Sequence, residues 1–155
     1  MRKVIHKLLE VIPTSALLTW FTINIIAPLD YRLLLATNGR LSLTGSTTIL
    51  LITTGARSGE PRYSPLPGLL RGEEIVLLAS KGGAKSHPSW YHNLVEHPEV
   101  EILMDGSRLT YQAEVTEGLR RQEMWEWLVE QWPGFAVYAR KASPRVMPVI
   151  VLRRK

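Results

Sequence analysis

Two glycine-rich segments carry the charged side chains that could hold an acidic ligand. They are residues 54–59 (TGARSG), followed by Arg62, and residues 80–86 (SKGGAKS). Glycines allow neighbouring backbone N–H groups to converge on one anion, while arginine adds forked donors and lysine adds a point charge. Each segment alone is also typical of an ordinary surface turn, and neither matches the Walker or Rossmann phosphate-binding pattern. Together they predict a site for a phosphate and a further acidic tail.

The second segment leads directly into aromatic residues. Pro88 is predicted to begin a short helix that ends at Val95, with Trp90 and Tyr91 in its first turn. The amino-terminal end of a helix carries partial positive charge, which favours an anion nearby. These two rings could therefore border a planar ligand, although Trp90 is equally compatible with a place in the core.

Composition excludes several kinds of chemistry. The 155 residues include no cysteine, which excludes disulfides and thiol catalysis. His87, His92 and His97 are spaced by five residues, which on a helix places consecutive side chains about 140° apart, so no metal site is predicted. The net charge of +5 is compatible with an acidic ligand or an anionic membrane surface. The basic residues are spread along the chain without an aromatic RNA-binding motif, so no nucleic-acid partner is predicted.

The pattern from residue 46 onwards predicts one β-rich domain over residues 46–155. Apolar and β-branched runs predict about six strands, over residues 47–54, 62–70, 75–79, 100–104, 108–115 and 144–152. Asp105-Gly106 is a typical hairpin turn. Thr116 is predicted to cap a helix over residues 117–132, and a shorter helix over residues 135–141 follows. The strands lack the long crossovers that parallel neighbours need, so the predicted fold class is α+β, a barrel of mainly antiparallel strands with peripheral helices.

Residues 1–45 form a predicted apolar helical segment. Residues 11–29 carry no charge and are about long enough to span a bilayer. The polar residues among them argue against a membrane span, and the lack of a cleavage site argues against a secretory signal. We expect instead an apolar helix that packs on the barrel, on a partner subunit or at a membrane interface. Asp30 is expected to cap a second helix over residues 31–37, which ends at Asn38-Gly39.

Three segments resemble those of the deazaflavin (F420)-dependent nitroreductase family, a group of split β-barrel oxidoreductases. They are residues 51–66 (LITTGARSGEPRYSPL), residues 79–94 (ASKGGAKSHPSWYHNL) and residues 132–138 (WPGFAVY). Residues from about 30 to 152 follow the order of the family. The resemblance implies a split β-barrel that binds coenzyme F420, with FMN as the alternative cofactor.

The resemblance also implies which residues surround the cofactor. Arg57, Ser58 and Arg62 would hold its phosphate and oligoglutamate tail. The full set of implied cofactor-binding residues is Arg57, Ser58, Gly59, Arg62, Ser64, Pro65, Ala79, Ser80, Lys81, Gly82, Gly83, Lys85, Pro88, Trp90, Tyr91 and Asn93.

The family transfers a hydride from the reduced deazaflavin to quinones, nitroaromatics or activated enones. By the same resemblance, Trp132, Phe135 and Tyr138 would contact the substrate, and the Tyr138 hydroxyl would donate a hydrogen bond or a proton to it. The family often has tyrosine where this chain has Trp132 and Phe135, and often has another tyrosine where this chain has Pro67-Gly68. These departures make the expected pocket more apolar and favour a lipophilic quinone over a nitroaromatic.

Two other functions remain open from the sequence. One is an FMN-binding split-barrel reductase, and the other is a non-catalytic binder of a cofactor or fatty acid at the membrane. The family often has an N-terminal helix that lies on the membrane, so we expect a cytoplasmic protein that touches the inner face of the membrane through residues 8–29. A homodimer is an expectation by analogy of fold.

Overall fold

A sheet of seven antiparallel strands forms the frame of the structure. The computed structural model describes residues 15–155. The strands are β1 (Thr48–Thr54), β2 (Pro61–Pro67), β3 (Leu69–Arg71), β4 (Glu74–Leu78), β5 (Glu99–Met104), β6 (Ser107–Val115) and β7 (Val149–Arg154). Their order in the sheet is β2-β1-β5-β6-β7-β4-β3.

A single residue, Gly68, makes this sheet curl. It separates β2 from β3, although these two strands lie at opposite edges of the sheet. The edges must therefore approach each other, which bends the sheet into a half barrel. The Gly68 N–H donates to the Thr47 carbonyl at 3.0 Å, and a β-carbon here would lie 2.6 Å from Cδ1 of Ile49. Glycine thus leaves room for a core side chain at the point where the two edges meet.

The same point corrects one predicted strand. Residues 62–70 were expected to form one strand, but the chain changes edges at Gly68 and forms β2 and β3 instead. The Pro67-Gly68 pair, which is typical of a turn, marks the change of edge in the sequence, although the single-strand prediction ran through it. Pro65 and Pro67 lie on an edge strand, where proline is tolerated, because β2 pairs with β1 alone.

The helices of residues 15–155 flank the sheet. They are α1 (Ala16–Phe21), α2 (Ala27–Ala36), α3 (Ser89–Glu96), α4 (Gly118–Gln131) and α5 (Gly134–Ala142), and a π-helical turn, Thr22–Ile26, joins α1 to α2. None of these helices is both long and apolar enough to cross a membrane. Residues 1–14 of the predicted N-terminal segment lie outside the described residues, and the predicted domain boundary at residue 45 stays a prediction.

Alternate side chains of the strands fill three buried clusters, the third of which joins Leu34 of α2 to β1 and β5. Ile75 and Leu77 of β4 belong to the first cluster, whereas Val76 and Leu78 belong to the second. Helices α4 and α5 pack on the second cluster, and α3 contributes Leu94 to the first. Helices α3, α4 and α5 are therefore anchored in the core.

Asp30 lies inside a helix rather than at its start. The helical run begins well before Tyr31, and Asp30 is 0% exposed in α2. Its carboxylate accepts from the Leu43 N–H at 2.7 Å, the Thr44 hydroxyl at 2.7 Å and the Ser42 hydroxyl at 2.8 Å. Asp30 therefore holds the segment that connects α2 to β1. The predicted end of the helix at Asn38-Gly39 is confirmed, since both residues have positive φ.

Of two further predictions, the hairpin turn at Asp105-Gly106 is confirmed and the helix cap at Thr116 is wrong. The Asp105-Gly106 hairpin is confirmed, with φ values of 49° and 84° between β5 and β6. Thr116 does not cap α4, because its buried hydroxyl donates to the Val149 carbonyl at 2.8 Å and so joins the end of β6 to β7. A turn whose residues are consecutive is visible in sequence, whereas a hydroxyl that bonds to a distant strand is not.

Replacing Asp30 with alanine should lower the free energy of unfolding by about 3 kcal/mol, because three donors would lose a buried acceptor. Urea unfolding followed by circular dichroism measures this change. Asp30→Asn keeps one acceptor oxygen and should cost less. Glu73→Ala, in the exposed turn between β3 and β4, is the control and should change stability by less than about 0.5 kcal/mol. An Asp30→Ala protein as stable as the wild type would contradict the role given to Asp30.

Candidate functional site

Both glycine-rich segments lie at the same end of the sheet. Loop 1 (residues 55–60) follows β1, and loop 2 (residues 79–88) follows β4. Four antiparallel steps separate these strands in the order β1-β5-β6-β7-β4, so β1 and β4 run in the same direction. The loops that leave their carboxyl ends therefore emerge together.

Loop 1 is a tight turn held by its own backbone. The Gly55 N–H donates to the Glu60 carbonyl and the Gly59 N–H donates to the Gly55 carbonyl, each at 2.8 Å. The Ser58 hydroxyl accepts from Nη2 of Arg62 at 3.2 Å. A β-carbon at Gly55 would lie 2.4 Å from that hydroxyl, so a larger residue there would displace the Ser58 side chain.

Asn93 ties loop 1 to helix α3. Its side-chain oxygen accepts from the Ala56 N–H at 3.0 Å, and its side-chain nitrogen donates to the Thr53 hydroxyl at 3.0 Å. The side chain is buried. The resemblance implied that Asn93 surrounds the cofactor, whereas the structure uses both ends of its amide within the protein. Because α3 begins where loop 2 ends, Asn93 also fixes the two loops relative to each other.

Loop 2 has an uncommon backbone. Lys81, Gly82 and Gly83 have φ values of 46°, 61° and 80°, which are all left-handed. A β-carbon at Gly83 would lie 2.9 Å from the carbonyl oxygen of Tyr138, so this glycine allows the loop to pack closely on α5. Left-handed backbone at a lysine is costly and persists only where the surrounding contacts impose it.

The two loops present four cations at this end of the sheet. Arg57 and Arg62 are exposed on loop 1 and at the start of β2, and Lys81 and Lys85 are exposed on loop 2. Lys81 donates to the Ser86 hydroxyl at 3.0 Å, and Lys85 donates to the Ser143 carbonyl oxygen. Within residues 15–155 none of the four forms a salt bridge with a carboxylate. Their charge is therefore available to an acidic ligand.

Arg145 is a residue of this site that sequence reasoning missed. From the segment between α5 and β7, it donates to the carbonyls of Ala79 at 2.9 Å, Ser80 at 2.8 Å and Ala84 at 2.8 Å. Its Nη1 atom also lies 3.0 Å from Nδ1 of His87. All four partners belong to loop 2. No signal in the sequence connects an arginine in this place to a loop about sixty positions earlier.

The aromatic residues at the start of α3 lie on the edge of the first core cluster. Trp90 and Tyr91 are half-buried against it, and the rings of Tyr91 and His87 are 4.8 Å apart. Burial lowers the pKa of His87, and the neighbouring Arg145 and His92 lower it further. Since a guanidinium can only donate, Nδ1 of His87 accepts from Arg145 and the ring proton lies on Nε2. No group of three or more metal-ligating side chains is found in the described part of the chain.

Phe135 and Tyr138 are more enclosed than the resemblance implied. They are 4% and 6% exposed and belong to the second core cluster, while Trp132 is half-buried with its ring 5.4 Å from that of Phe135. Helix α1 lies over this region, where Thr19 hydrogen-bonds to Tyr138 and approaches Gly82. Burial raises the pKa of Tyr138, and the bond to Thr19 opposes part of that rise. The phenol is therefore protonated at neutral pH and available as a donor.

The predicted cofactor-binding residues differ in solvent exposure according to their place in the loops and strands. Those exposed are Arg57, Ser58, Gly59, Arg62, Lys81 and Lys85; those half-buried are Ser64, Pro65, Ser80, Gly82, Trp90 and Tyr91; those buried are Ala79, Gly83, Pro88 and Asn93. The exposed group can touch a ligand directly. The buried group shapes the loops from behind.

The curled antiparallel sheet with its two basic loops is the fold of the split-barrel reductases. Residues 29–154 match the F420H(2)-dependent quinone reductase family, and this chain therefore belongs to that family. The resemblance seen in the sequence is thereby confirmed.

Relatives and solved structures agree with this assignment. An F420H(2)-dependent quinone reductase of Mycobacterium tuberculosis (strain ATCC 25618 / H37Rv) is 32% identical over 124 residues, which cover 77% of this chain and 83% of that protein. The structure of an F420-H2 dependent reductase (FDR-A) is 36% identical, with a TM-score of 0.63, over 69% of this chain and 94% of that chain. A structure described as a domain-swapped dimer has the same identity and TM-score and is covered to 80%.

Proposed function

We propose that this chain binds reduced coenzyme F420 and transfers a hydride from it to a lipophilic quinone. The observation that carries the proposal is a set of four cations on and beside two loops at one end of the sheet, Arg57, Arg62, Lys81 and Lys85, which have no carboxylate partner among residues 15–155. Membership of the F420H(2)-dependent quinone reductase family supports the same cofactor and the same class of substrate.

The donor set fits an acidic cofactor. Arg57, Ser58 and Arg62 supply two guanidinium groups and a hydroxyl on one side, and Lys81 and Lys85 supply two ammonium groups on the other. A phosphate and an oligoglutamate tail need several such donors spread over a distance, which two separate loops provide and a single phosphate loop does not. Ser64 and Pro65 of β2, with Ser80 of loop 2, would line the space between them.

The protein contributes position and charge to the reaction. When bound, the deazaflavin supplies the hydride. Trp90 and Tyr91 would border its ring, and Gly82 and Gly83 allow the backbone to approach closely. Tyr138 would donate a hydrogen bond to the carbonyl of the substrate, where negative charge develops as the hydride arrives.

The apolar character of the substrate region supports a quinone. Phe135 and Trp132 contact each other and offer no hydroxyl, so Tyr138 would be the phenol that meets the substrate. Since Thr19 of α1 bonds to Tyr138, the substrate would take the place of Thr19 when α1 moves aside. A flat, apolar molecule with two carbonyl acceptors suits these contacts better than a charged one.

Helix α1 and the turn after it also support contact with a membrane. Trp20 is 56% exposed and Phe21 is 45% exposed, and Leu17, Ile23 and Ile25 are exposed beside them. A surface of this kind suits the headgroup region of a bilayer, in which lipophilic quinones dissolve. We place the protein on the cytoplasmic face of the membrane, with residues 15–29 in contact and residues 8–14 outside the described structure. A homodimer that covers the same surface is the alternative, as the domain-swapped dimer among its structural relatives suggests.

Fluorescence titration of the purified protein tests the cofactor. F420 should bind tightly and with strong dependence on salt, whereas FMN, which has the phosphate without the acidic tail, should bind far more weakly. Arg57→Ala combined with Lys81→Ala should weaken F420 binding about 100-fold, because two charge-assisted contacts are lost. Arg40→Ala combined with Arg108→Ala removes equal charge at the β5–β6 turn, the opposite end of the sheet, and should leave the affinity nearly unchanged.

Each outcome of this titration has a distinct meaning. Unchanged affinity in the Arg57/Lys81 variant would refute the site. Binding of FMN alone would make the chain a flavin reductase, and binding of neither would favour a non-catalytic binder at the membrane.

Tyr138→Phe should lower kcat for a soluble naphthoquinone about 100-fold while F420 affinity stays the same, because one donor to the reacting carbonyl is lost. The raised pKa keeps the phenol protonated, so the loss should be constant between about pH 6 and 9. Tyr111→Phe, at a buried tyrosine of the first cluster, is the control and should retain full activity. If the Tyr138→Phe enzyme kept the wild-type kcat, Tyr138 would have no role in the reaction.

Flotation with phospholipid vesicles tests the membrane contact. The wild type should float with vesicles that contain anionic lipid, and Trp20→Ser combined with Phe21→Ser should reduce the bound fraction at least about tenfold, since two large apolar side chains are lost from the contact. Leu119→Ser, which removes an isolated exposed leucine of α4, should not change it. A wild-type protein that does not float with the vesicles would contradict the proposed membrane contact. Light scattering would then test whether the chain forms a homodimer in solution.

A further inference from the structure

Arg145 occupies a special place behind loop 2. Its guanidinium contacts three carbonyl oxygens and one histidine nitrogen. All four atoms belong to residues that lie 58 to 66 positions earlier in the chain. Four contacts use most of the five N–H donors of an arginine side chain. A lysine in this place could not reach the same oxygens in one plane.

We propose that Arg145 is a positioning residue for the cofactor, whose planar fork sets the backbone of loop 2 so that Lys81 and Lys85 face the acidic end of F420. This inference rests on the proposed function. Arg145 does not touch the cofactor in this scheme and acts through the loop.

The orientation of the peptide planes supports this role. In a trans peptide the carbonyl of one residue and the N–H of the next point in opposite directions. Because the Ser80 carbonyl points at Arg145, the N–H of Lys81 points away from it, and the Ala84 carbonyl orients the N–H of Lys85 in the same manner. The backbone N–H groups of both loop lysines therefore face away from Arg145, as a contact with an anion on the outer side requires.

The hydrogen bonds of Arg145 also lie on both sides of the left-handed stretch of loop 2, whose backbone conformation is energetically unfavourable. Ser80 and Ala84 lie immediately before and after the three left-handed residues 81–83. Fixing both ends of this short stretch leaves it little freedom to relax to an ordinary turn. Without the fork, we expect Lys81 to return to a right-handed or extended conformation and the loop to lose its shape.

The charge of Arg145 adds to the same effect. Within residues 15–155 no carboxylate lies within 4.0 Å of its guanidinium, and its partners are neutral. Burial lowers the pKa of Arg145 without any acidic neighbour to oppose it. The guanidinium thus contributes positive potential behind a loop whose proposed ligand is an anion.

A neighbouring arginine provides a matched control. Arg121 of α4 also donates to a backbone carbonyl, that of Met147 at 2.9 Å, but among the described residues it forms no hydrogen bond with loop 2. Both arginines line the same cavity of about 310 Å³ between α4, α5 and residues 143–147. Since water can enter this cavity when a side chain is shortened, we expect variants at either position to fold.

The experiment compares Arg145→Lys, Arg145→Gln and Arg121→Gln in the full chain. Both Arg145 variants should weaken F420 binding at least about tenfold, because neither glutamine nor lysine has the planar fork of arginine, although lysine keeps the charge. In both variants the KM for F420H2 should rise by a larger factor than kcat falls. Hydrogen exchange of the peptide that spans loop 2, measured without F420, should become faster in the two Arg145 variants only. Arg121→Gln should match the wild type in both measurements.

The outcomes separate this inference from the proposed function. Full rescue by Arg145→Lys would refute positioning by the fork, and equal effects in Arg121→Gln would show general destabilisation instead. A wild type that fails to bind F420 refutes the proposed function, while the exchange of loop 2 without F420 still decides whether Arg145 sets the loop.

Discussion

The meeting of the two sheet edges at Gly68 is the constraint on which the rest of the structure depends. With one residue between β2 and β3, the sheet cannot lie flat, and its remaining strands must complete the curve from one edge to the other. That curve covers the apolar side chains of β1, β4 and β7, and the carboxyl ends of β1 and β4 lie at the same end of the curled sheet. The candidate site is a consequence of this closure, because its two loops belong to strands that are not neighbours in the sheet.

Buried or half-buried polar side chains fix three connecting segments of the structure. Asp30 accepts from the segment between α2 and β1, Asn93 accepts from loop 1 and Arg145 donates to loop 2, and each side chain would lose these bonds if its segment moved. Exposed ion pairs, such as that between Arg71 and Glu123, add about 0–1 kcal/mol each and do not select a conformation. The shape of the two site loops is therefore set by the bonds of Asn93 and Arg145 rather than by exposed charges.

Sequence reasoning succeeded where the signal is local. The Asp105-Gly106 hairpin, the end of α2 at Asn38-Gly39 and the two basic loops are each encoded in a few consecutive residues. It failed where a side chain acts at a distance. Asp30 looks like a helix cap in sequence, but its partners lie 12 to 14 residues later, and nothing near Arg145 distinguishes it from a surface arginine. The side-chain roles of the candidate site were implied by family resemblance, since spacing alone cannot show which residues converge.

Helix α1 covers the buried Tyr138 and also exposes apolar side chains on its surface. No residue of α1 or of the π-helical turn after it is buried, so little apolar contact holds this stretch on the barrel. Yet Thr19 closes the space above Gly82 and Tyr138. A cover that is held weakly can exclude water from an apolar site at rest and still yield to a substrate that offers the same phenol an acceptor. In the proposed function, the exposed apolar side chains of that cover would be the first surface that a lipophilic substrate meets.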